Sequence, residues 1–207
     1  MRSRITVIDY GMGNIWSVIN ALRYFGCTPV VSSDPREIAC AESLLLPGVG
    51  SFRKAMLSLR ESSIDQAILE AVQGKGRKIL GICLGMQLMG SRGSEDGDMA
   101  GLGLIQSSVD MFTGEEIGSN KIPHIGFDLV HSKPGSILFR NLPEAADFYF
   151  VHSYRMLPHG LSGKAATCVY GTEFLAAYEQ QNIFATQFHP EKSQTNGLML
   201  LKNFLAQ

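Results

Sequence analysis

A cysteine between two glycines stands at the end of a short apolar run, where a nucleophile could be presented. Cys83 follows the strand-like residues 78–82 in the sequence Gly-Ile-Cys-Leu-Gly at 81–85, and a helical pattern begins directly after it. A strand, a tight turn with small residues and a helix are typical of a nucleophile elbow. The N-terminal dipole of the helix would favour a thiolate at this position. On this motif alone, a buried structural cysteine is the stronger interpretation.

A second motif favours a catalytic role for Cys83. Near the C-terminus the sequence reads Gln-Phe-His-Pro-Glu at 187–191. A cysteine nucleophile needs a base to take its proton, and the base needs a third group to fix its tautomer. His189 and Glu191, braced by Pro190, could supply both roles. The two motifs together predict a catalytic triad of Cys83, His189 and Glu191.

Composition limits the class of protein. The chain has 207 residues, 45% hydrophobic residues and a formal net charge of −1, which fits one domain over residues 1–207 with a substantial core. No basic excess indicates nucleic-acid binding, and we expect no membrane span and no cleavable signal. Four cysteines without Cys-x-x-Cys spacing are interpreted as reduced thiols of a cytoplasmic protein, and no metal site is expected. Gly-Met-Gly at 11–13 lacks the third glycine of the dinucleotide fingerprint, so no cofactor is expected.

The elements that must position these residues follow an alternating pattern. In the first half, candidate strands at 5–8, 28–31, 44–46 and 78–82 alternate with helical patterns at 15–22, 52–60 and 64–73. This order predicts a parallel sheet covered on both faces. In the second half, candidate strands lie at 148–151, 166–170, 174–178 and 183–187, before a closing helix at 197–205. We expect these later strands to be antiparallel, either extending the sheet or forming a small flanking one.

The two motifs resemble those of class I (triad) glutamine amidotransferases, and the resemblance covers nearly the whole chain. It implies a flavodoxin-like three-layer fold, a mostly parallel central sheet with an antiparallel extension, and L-glutamine as the substrate. Within that family, Leu-Pro-Gly-Val-Gly at 46–50 and Phe-Val-His-Ser-Tyr at 150–154 resemble the glutaminase subunits of imidazole glycerol phosphate synthase. This implies release of ammonia to a (β/α)8-barrel cyclase subunit, in a heterodimer of histidine biosynthesis.

The turn after the third candidate strand and Cys83 should share one sheet edge, because ligands in open α/β sheets bind beyond the carboxyl ends of strands. A tetrahedral oxyanion needs preorganised donors there. We expect Leu84 to offer one backbone N–H and the loop containing Val49 and Gly50 to offer the other. The two glycines of this loop would let its peptide flip. A tight turn that needs glycine for geometry alone is the alternative.

Substrate-binding residues follow from spacing in one case and from the resemblance in the others. Gln87 lies four residues after Cys83, so it points back toward the elbow. The resemblance implies that Gly48 belongs to the substrate loop and that Glu95 holds the ammonium of glutamine. It also implies that Ser153 and Tyr154 bind its carboxylate through their backbone. Glu95 could instead lie in a solvated acidic loop.

The resemblance also implies a partner surface. Asn14, Lys121, Pro123, His124 and Phe127 correspond to positions that face the cyclase in the family. At 123–128 the chain has Pro-His-Ile-Gly-Phe-Asp, where these subunits carry Pro-His-Met-Gly-Trp-Asn. Tryptophan is a common interface anchor, so its exchange for phenylalanine indicates an altered partner surface. The alternative function is therefore a paralogous subunit that supplies ammonia for another amidation, for example of a surface-polysaccharide sugar.

Overall fold

The computed structural model describes residues 4–207, so the first three residues of the predicted 1–207 domain lie outside the described part. The strands are β1 (Arg4–Ile8), β2 (Thr28–Ser32), β3 (Ser43–Gly48), β4 (Lys78–Cys83), β5 (Arg92–Gly93), β6 (Met99–Ala100), β7 (Ser108–Met111), β8 (His124–His131), β9 (Ala145–His152), β10 (Tyr154–Met156), β11 (Lys164–Tyr170), β12 (Thr172–Gln180) and β13 (Ile183–Thr186). The helices are α1 (Ile15–Tyr24), α2 (Pro35–Ala39), α3 (Phe52–Glu61), α4 (Ile64–Leu69), α5 (Leu84–Leu88), α6 (Gly114–Ile117) and α7 (Gln194–Leu205), with a π-helical turn at Glu70–Gly74 and a 3-10 turn at Pro190–Lys192.

Nine strands form the central sheet in the order β2-β1-β3-β4-β13-β12-β11-β8-β9. The first five strands of this order pair in parallel. The other four form an antiparallel extension. Gly48, at the end of β3, lies in register with Cys83, at the end of β4. The predicted parallel sheet with an antiparallel extension is therefore confirmed, and the two loops that follow β3 and β4 meet at one edge.

Alternation of side chains along the strands builds a core on each face of the sheet. In β3, Leu44 and Leu46 pack with α2, α3, α4 and α5, whereas Leu45 packs with α1 and α7 on the other face. All three leucines are fully buried. Burial of one such side chain contributes about 1.5–3 kcal/mol. The helix–sheet–helix arrangement is the predicted three-layer fold, and it fixes the ends of β3 and β4 that carry the site.

Strand β8 and the small second sheet β10-β7-β5-β6 were not predicted from the sequence. None of the strands predicted from the sequence lies between residues 82 and 148. In β8 the apolar side chains Ile125, Phe127 and Leu129 are exposed, whereas His124 is buried. Apolar side chains thus face solvent and a histidine faces the interior, which is the reverse of a typical half-buried strand. The alternation of apolar and polar residues could therefore not indicate which face is buried. Within residues 4–207, no helix combines the length and apolarity needed to cross a membrane.

Candidate active site

Cys83 sits in a strained turn between β4 and α5. Its φ of 54° and ψ of −111° lie in a region that residues with a side chain rarely adopt. The flanking glycines let the turn form. A Cβ at position 85 would lie 1.8 Å from the Leu46 carbonyl oxygen, and one at position 81 would lie 2.4 Å from the Met89 sulfur. Both glycines of the motif are therefore required by close packing, and the predicted strand–turn–helix elbow is present.

His189 and Glu191 form a buried pair next to this turn. His189 Nδ1 lies 2.8 Å from Glu191 Oε1, and both side chains are almost fully buried. Because Nδ1 is engaged by the carboxylate, Nε2 is the nitrogen left for Cys83. In the described part of the chain this buried Nε2 has no partner within ordinary hydrogen-bond geometry. The structure thus brings the three predicted triad residues together, with the acid on the far side of the imidazole from the sulfur.

The surroundings of His189 favour its protonated form. Burial by itself lowers the pKa of His189, but the interaction with the neighbouring Cys83 sulfur and the hydrogen bond and negative charge of Glu191 outweigh it. Together they raise the pKa from 6.5 to about 10. The imidazolium therefore stabilises the fold. This contribution is fully present below pH 6.5 and is lost as the pH rises through about 10. At neutral pH His189 is therefore protonated, and its position pairs it with the Cys83 sulfur.

A histidine titration tests this pairing. In the Cys83→Ala variant we expect the pKa of His189 to fall well below 10, because Cys83 supplies two of the raising causes while burial still lowers it. Nuclear magnetic resonance of the imidazole nitrogens measures the change directly. The Cys168→Ala variant, which removes another buried thiol, should leave the pKa of His189 unchanged. An unaltered pKa in the Cys83→Ala variant would contradict the pairing.

The backbone of His189 is fastened to strand β9. Its N–H donates to the Tyr149 carbonyl at 2.9 Å. The Ser193 hydroxyl donates to the His189 carbonyl at 2.6 Å and accepts from the Tyr149 N–H at 2.9 Å. Ser193 is 1% exposed, so water does not compete for these bonds. The His189 imidazole is therefore positioned by its bond to Glu191 and by the hydrogen bonds of the His189 backbone.

A cavity of about 230 Å³ opens beside Cys83 and His189. Seven of the other predicted site residues line it, namely Val49, Gly50, Leu84, Gln87, Glu95, Ser153 and Tyr154. Val151 and His152 complete the wall. Gly48, predicted to bind substrate, does not line this cavity. A Cβ there would lie 2.3 Å from the Tyr10 hydroxyl, so this glycine serves the packing of β3 beneath the site.

The arrangement around Cys83 provides candidate oxyanion donors. Leu84 is the first residue of α5, where a backbone N–H has no partner within the helix. Gly50 has a φ of +111°, which only glycine adopts readily, and a Cβ there would lie 2.8 Å from the Met12 methyl carbon. Val49 between the two glycines is 43% exposed. The donor roles of Val49, Gly50 and Leu84 stay predictions, and their placement around one cavity is compatible with them.

Glu95 lies at the cavity rather than in a fully solvated loop. Its Oε2 accepts a hydrogen bond from the Phe52 N–H at 2.8 Å. Burial raises the pKa of Glu95, the Phe52 bond opposes that rise, and the charge of Asp96 adds to it. A half-buried carboxylate that lines a cavity can gain from an ammonium partner. Its position therefore fits the predicted binding of a substrate ammonium.

His152, which lines the cavity, pairs with a second buried histidine, His124. His152 Nε2 lies 3.1 Å from His124 Nδ1, and His152 Nδ1 lies 2.8 Å from the Tyr154 carbonyl. Burial lowers the pKa of His152 to about 3 and that of His124 to about 4, so both rings are neutral at neutral pH. His124, predicted to face a partner, is only 2% exposed. In this structure its side chain belongs to the interior and presents no surface for a partner.

The other predicted interface residues, Asn14, Lys121, Pro123 and Phe127, are exposed. Gln187 is a site residue to which the sequence analysis gave no role. Its Nε2 lies 3.7 Å from the Cys83 sulfur, and its position in the Gln-Phe-His-Pro-Glu motif was the signal that could have identified it. In the described part of the chain, no group of three or more His, Cys, Asp or Glu side chains is arranged to hold a metal ion.

Comparisons with known proteins identify the family of the chain. Residues 6–207 match the sequence profile of the family described as glutamine amidotransferase class-I. The chain is 42% identical over 204 residues to the imidazole glycerol phosphate synthase subunit HisH of Acinetobacter baylyi, with 98% of both chains covered. It is 45% identical over 201 residues to the protein of the same name from Chlorobaculum tepidum, with 97% and 98% covered. The structure of PurLQS from Thermotoga maritima matches with a TM-score of 0.72 at 18% identity, covering 100% of this chain and 99% of that one, which supports the fold alone.

Proposed function

This chain belongs to the class-I glutamine amidotransferases, and from that membership we propose that it is the glutaminase subunit of an imidazole glycerol phosphate synthase. It would hydrolyse L-glutamine to glutamate and ammonia and pass the ammonia to a cyclase subunit in histidine biosynthesis. The observation that carries the chemistry is the Cys83, His189 and Glu191 arrangement at the cavity. The subunit assignment rests on relatives at 42% and 45% identity that align over nearly their full length.

The geometry gives each triad residue a step. The Cys83 thiolate attacks the side-chain amide carbon of glutamine, and the C–N bond breaks as the His189 imidazolium donates its proton to the leaving nitrogen. Ammonia leaves and a glutamyl thioester remains. The neutral imidazole then takes a proton from water, which attacks the thioester carbonyl. Glutamate is released, and the thiolate and imidazolium are restored. Glu191 keeps the imidazole oriented in both steps through its 2.8 Å bond to Nδ1.

The remaining site residues position the substrate. The backbone N–H of Leu84 and that of the loop with Val49 and Gly50 would hold the oxyanion of each tetrahedral intermediate. Glu95 would bind the ammonium of glutamine, and the backbone at Ser153 and Tyr154 would bind its carboxylate. The cavity volume of about 230 Å³ suits a small amino acid such as glutamine. Gly48 does not line the cavity, so we propose no direct contact between this residue and the substrate.

The exposed face of β8 is the surface we assign to the cyclase partner. Ile125, Phe127 and Leu129 are 59%, 46% and 50% exposed and share this face. Exposed apolar side chains in one row mark interaction surfaces. Ile125 is in register with Val151 of β9, which lines the cavity. A partner on this face would therefore stand next to the ammonia source. We propose that the partner is a (β/α)8-barrel and that the complex is a cytoplasmic heterodimer, with residues 1–207 forming one domain.

An aspartate at position 127 tests the partner surface. We expect Phe127→Asp to weaken the affinity for the cyclase at least about tenfold, because a charge would be buried where an aromatic anchor packs. Glutamine hydrolysis by the uncomplexed chain should not change. Titration calorimetry with the cyclase measures the affinity, and Tyr24→Asp is the matched control, since Tyr24 is 74% exposed on α1. Equal affinity of the two variants would remove Phe127 from the interface.

The function itself is tested by assaying glutamate release with and without the cyclase and its nucleotide ligand. The proposal predicts weak hydrolysis by the chain alone and strong stimulation by the ligand-loaded cyclase. Hydrolysis that is indifferent to this cyclase would keep the glutaminase chemistry and favour the paralogous amidotransferase alternative. No hydrolysis under either condition would contradict the proposed activity.

A further inference from the structure

The orientation of the Gln87 side chain is fixed by a backbone carbonyl. Gln87 Nε2 lies 3.0 Å from the Tyr154 oxygen, and a carbonyl can only accept. The atom facing Tyr154 must therefore be the amide nitrogen of Gln87. The same nitrogen lies 3.0 Å from Gln187 Oε1. An NH₂ group has two hydrogens, so both are committed, one to each of these oxygens.

The orientation of Gln187 follows from that of Gln87. Because Gln87 presents a donor, the atom of Gln187 that faces it must be the amide oxygen. The nitrogen of Gln187 then points the other way, where it lies 3.7 Å from the Cys83 sulfur. The Gln187 backbone N–H is anchored separately to the Ala176 carbonyl at 2.8 Å. Two amides in series thus transmit the orientation set at Tyr154 to a donor aimed at the nucleophile.

The environment makes this donor strong. Gln187 is 0% exposed and Gln87 is 4% exposed, so water does not compete for the bonds in the series. A hydrogen bond to a charged acceptor is stronger than one to a neutral acceptor. The N–H of Gln187 therefore interacts more favourably with a thiolate than with a thiol. His189 lines the same cavity as this sulfur and is the proton donor of the proposed reaction, whereas Gln187 adds a donor whose proton is not transferred.

We propose that Gln187 is a further catalytic residue, whose amide N–H stabilises the Cys83 thiolate and whose orientation is fixed by Gln87. The inference rests on the proposed function, in which Cys83 is the nucleophile. Gln187 would stabilise the thiolate in the resting enzyme, and again when hydrolysis of the thioester regenerates the thiolate. Gln187 makes no proton transfer, so its loss should change the pH range of activity more than the activity at the plateau.

The test is the pH dependence of Cys83 alkylation by iodoacetamide in two near-isosteric variants. Gln187→Met removes the donor, and Gln187→Glu replaces it with a carboxylate that repels a thiolate. We expect both to move the midpoint of the alkylation profile upward by about one pH unit. Below the midpoint, alkylation and kcat/KM for glutamine should fall about tenfold and should recover at higher pH. Two variants ensure a result if one fails to fold, which thermal melting will show.

Asn203→Leu is the matched control, because it also removes a buried amide, 8% exposed, that bonds carbonyls far from the site. It should leave the midpoint of Cys83 alkylation unchanged. An unshifted midpoint in both Gln187 variants, with Cys83 still reactive and glutamine still hydrolysed, would overturn the role of Gln187 alone. A wild-type protein with neither pH-dependent alkylation of Cys83 nor hydrolysis would overturn the proposed function, and this inference with it.

Discussion

Replacing Cys83 with alanine should lower the rate of glutamine hydrolysis by at least about 10⁴-fold, because triad residues act as a unit and loss of the nucleophile removes the covalent route. The sulfur is the atom on which His189 and Gln187 converge. Synthesis by the complex from added ammonium salts should persist, because that reaction needs only the cyclase. Glutamate release and ammonia-dependent product formation are measured in parallel on the same complex.

The matched control is Cys168→Ala. Cys168 is also buried, and burial together with the charge of Asp128 raises the pKa of its thiol to about 12, so it is unreactive at neutral pH. This variant should retain glutamine hydrolysis within a few-fold of the wild-type rate. Substantial hydrolysis by the Cys83→Ala variant would contradict the assignment of the nucleophile. Loss of ammonia-dependent synthesis as well would indicate a folding or assembly defect.

Gly85→Ala should be among the most damaging single changes in the fold. The added Cβ would lie 1.8 Å from the Leu46 carbonyl oxygen, which belongs to the backbone of central strand β3. Neither β3 nor the elbow can shift without breaking the pairing of Gly48 with Cys83. We expect the free energy of unfolding to fall by about 3 kcal/mol or more, and hydrolysis to be lost in any protein that still folds. Denaturant unfolding and the glutamate assay measure the two effects.

Gly114→Ala provides the comparison for that variant. A Cβ at position 114 meets nothing within 4 Å, and Gly114 is the first residue of α6. Alanine is favoured over glycine in helices by about 0.5–1 kcal/mol, so this change should be neutral or slightly stabilising. Equal stability of the two variants would show that the approach of the elbow to β3 is looser than in this structure.

The residues of the candidate triad could be identified from the sequence because their signals are local. The elbow needs glycines at two fixed offsets from Cys83, and His189 and Glu191 lie two residues apart, so each motif is complete within a few neighbouring residues. The alternating strands and helices of the first half also carried enough periodicity to predict the parallel sheet. In the sheet β4 and β13 are neighbours, so the motifs that follow these two strands lie next to each other.

The remaining features depend on contacts between distant residues. Strand β8 was missed because its apolar side chains face outward. His124 was placed at a partner surface by the resemblance, which carries no information on the burial of its side chain. The resemblance placed Gly48 in the substrate loop, and nothing in the sequence indicates the Tyr10 hydroxyl beside it. The role of Gln187 depends on the orientation of another amide, which no spacing rule contains. The positions of these three residues depend on contacts that form only in the folded protein.

The most direct test of the account is mass spectrometry of the full chain after incubation with a diazo-ketone analogue of glutamine. The analogue needs the glutamine pocket to bind and a thiolate to react, so one reaction tests both. We expect a single adduct, which peptide mapping places on Cys83, together with loss of glutamine hydrolysis and protection by added glutamine. An adduct on the exposed Cys40 or no adduct on a chain that still hydrolyses glutamine would contradict it.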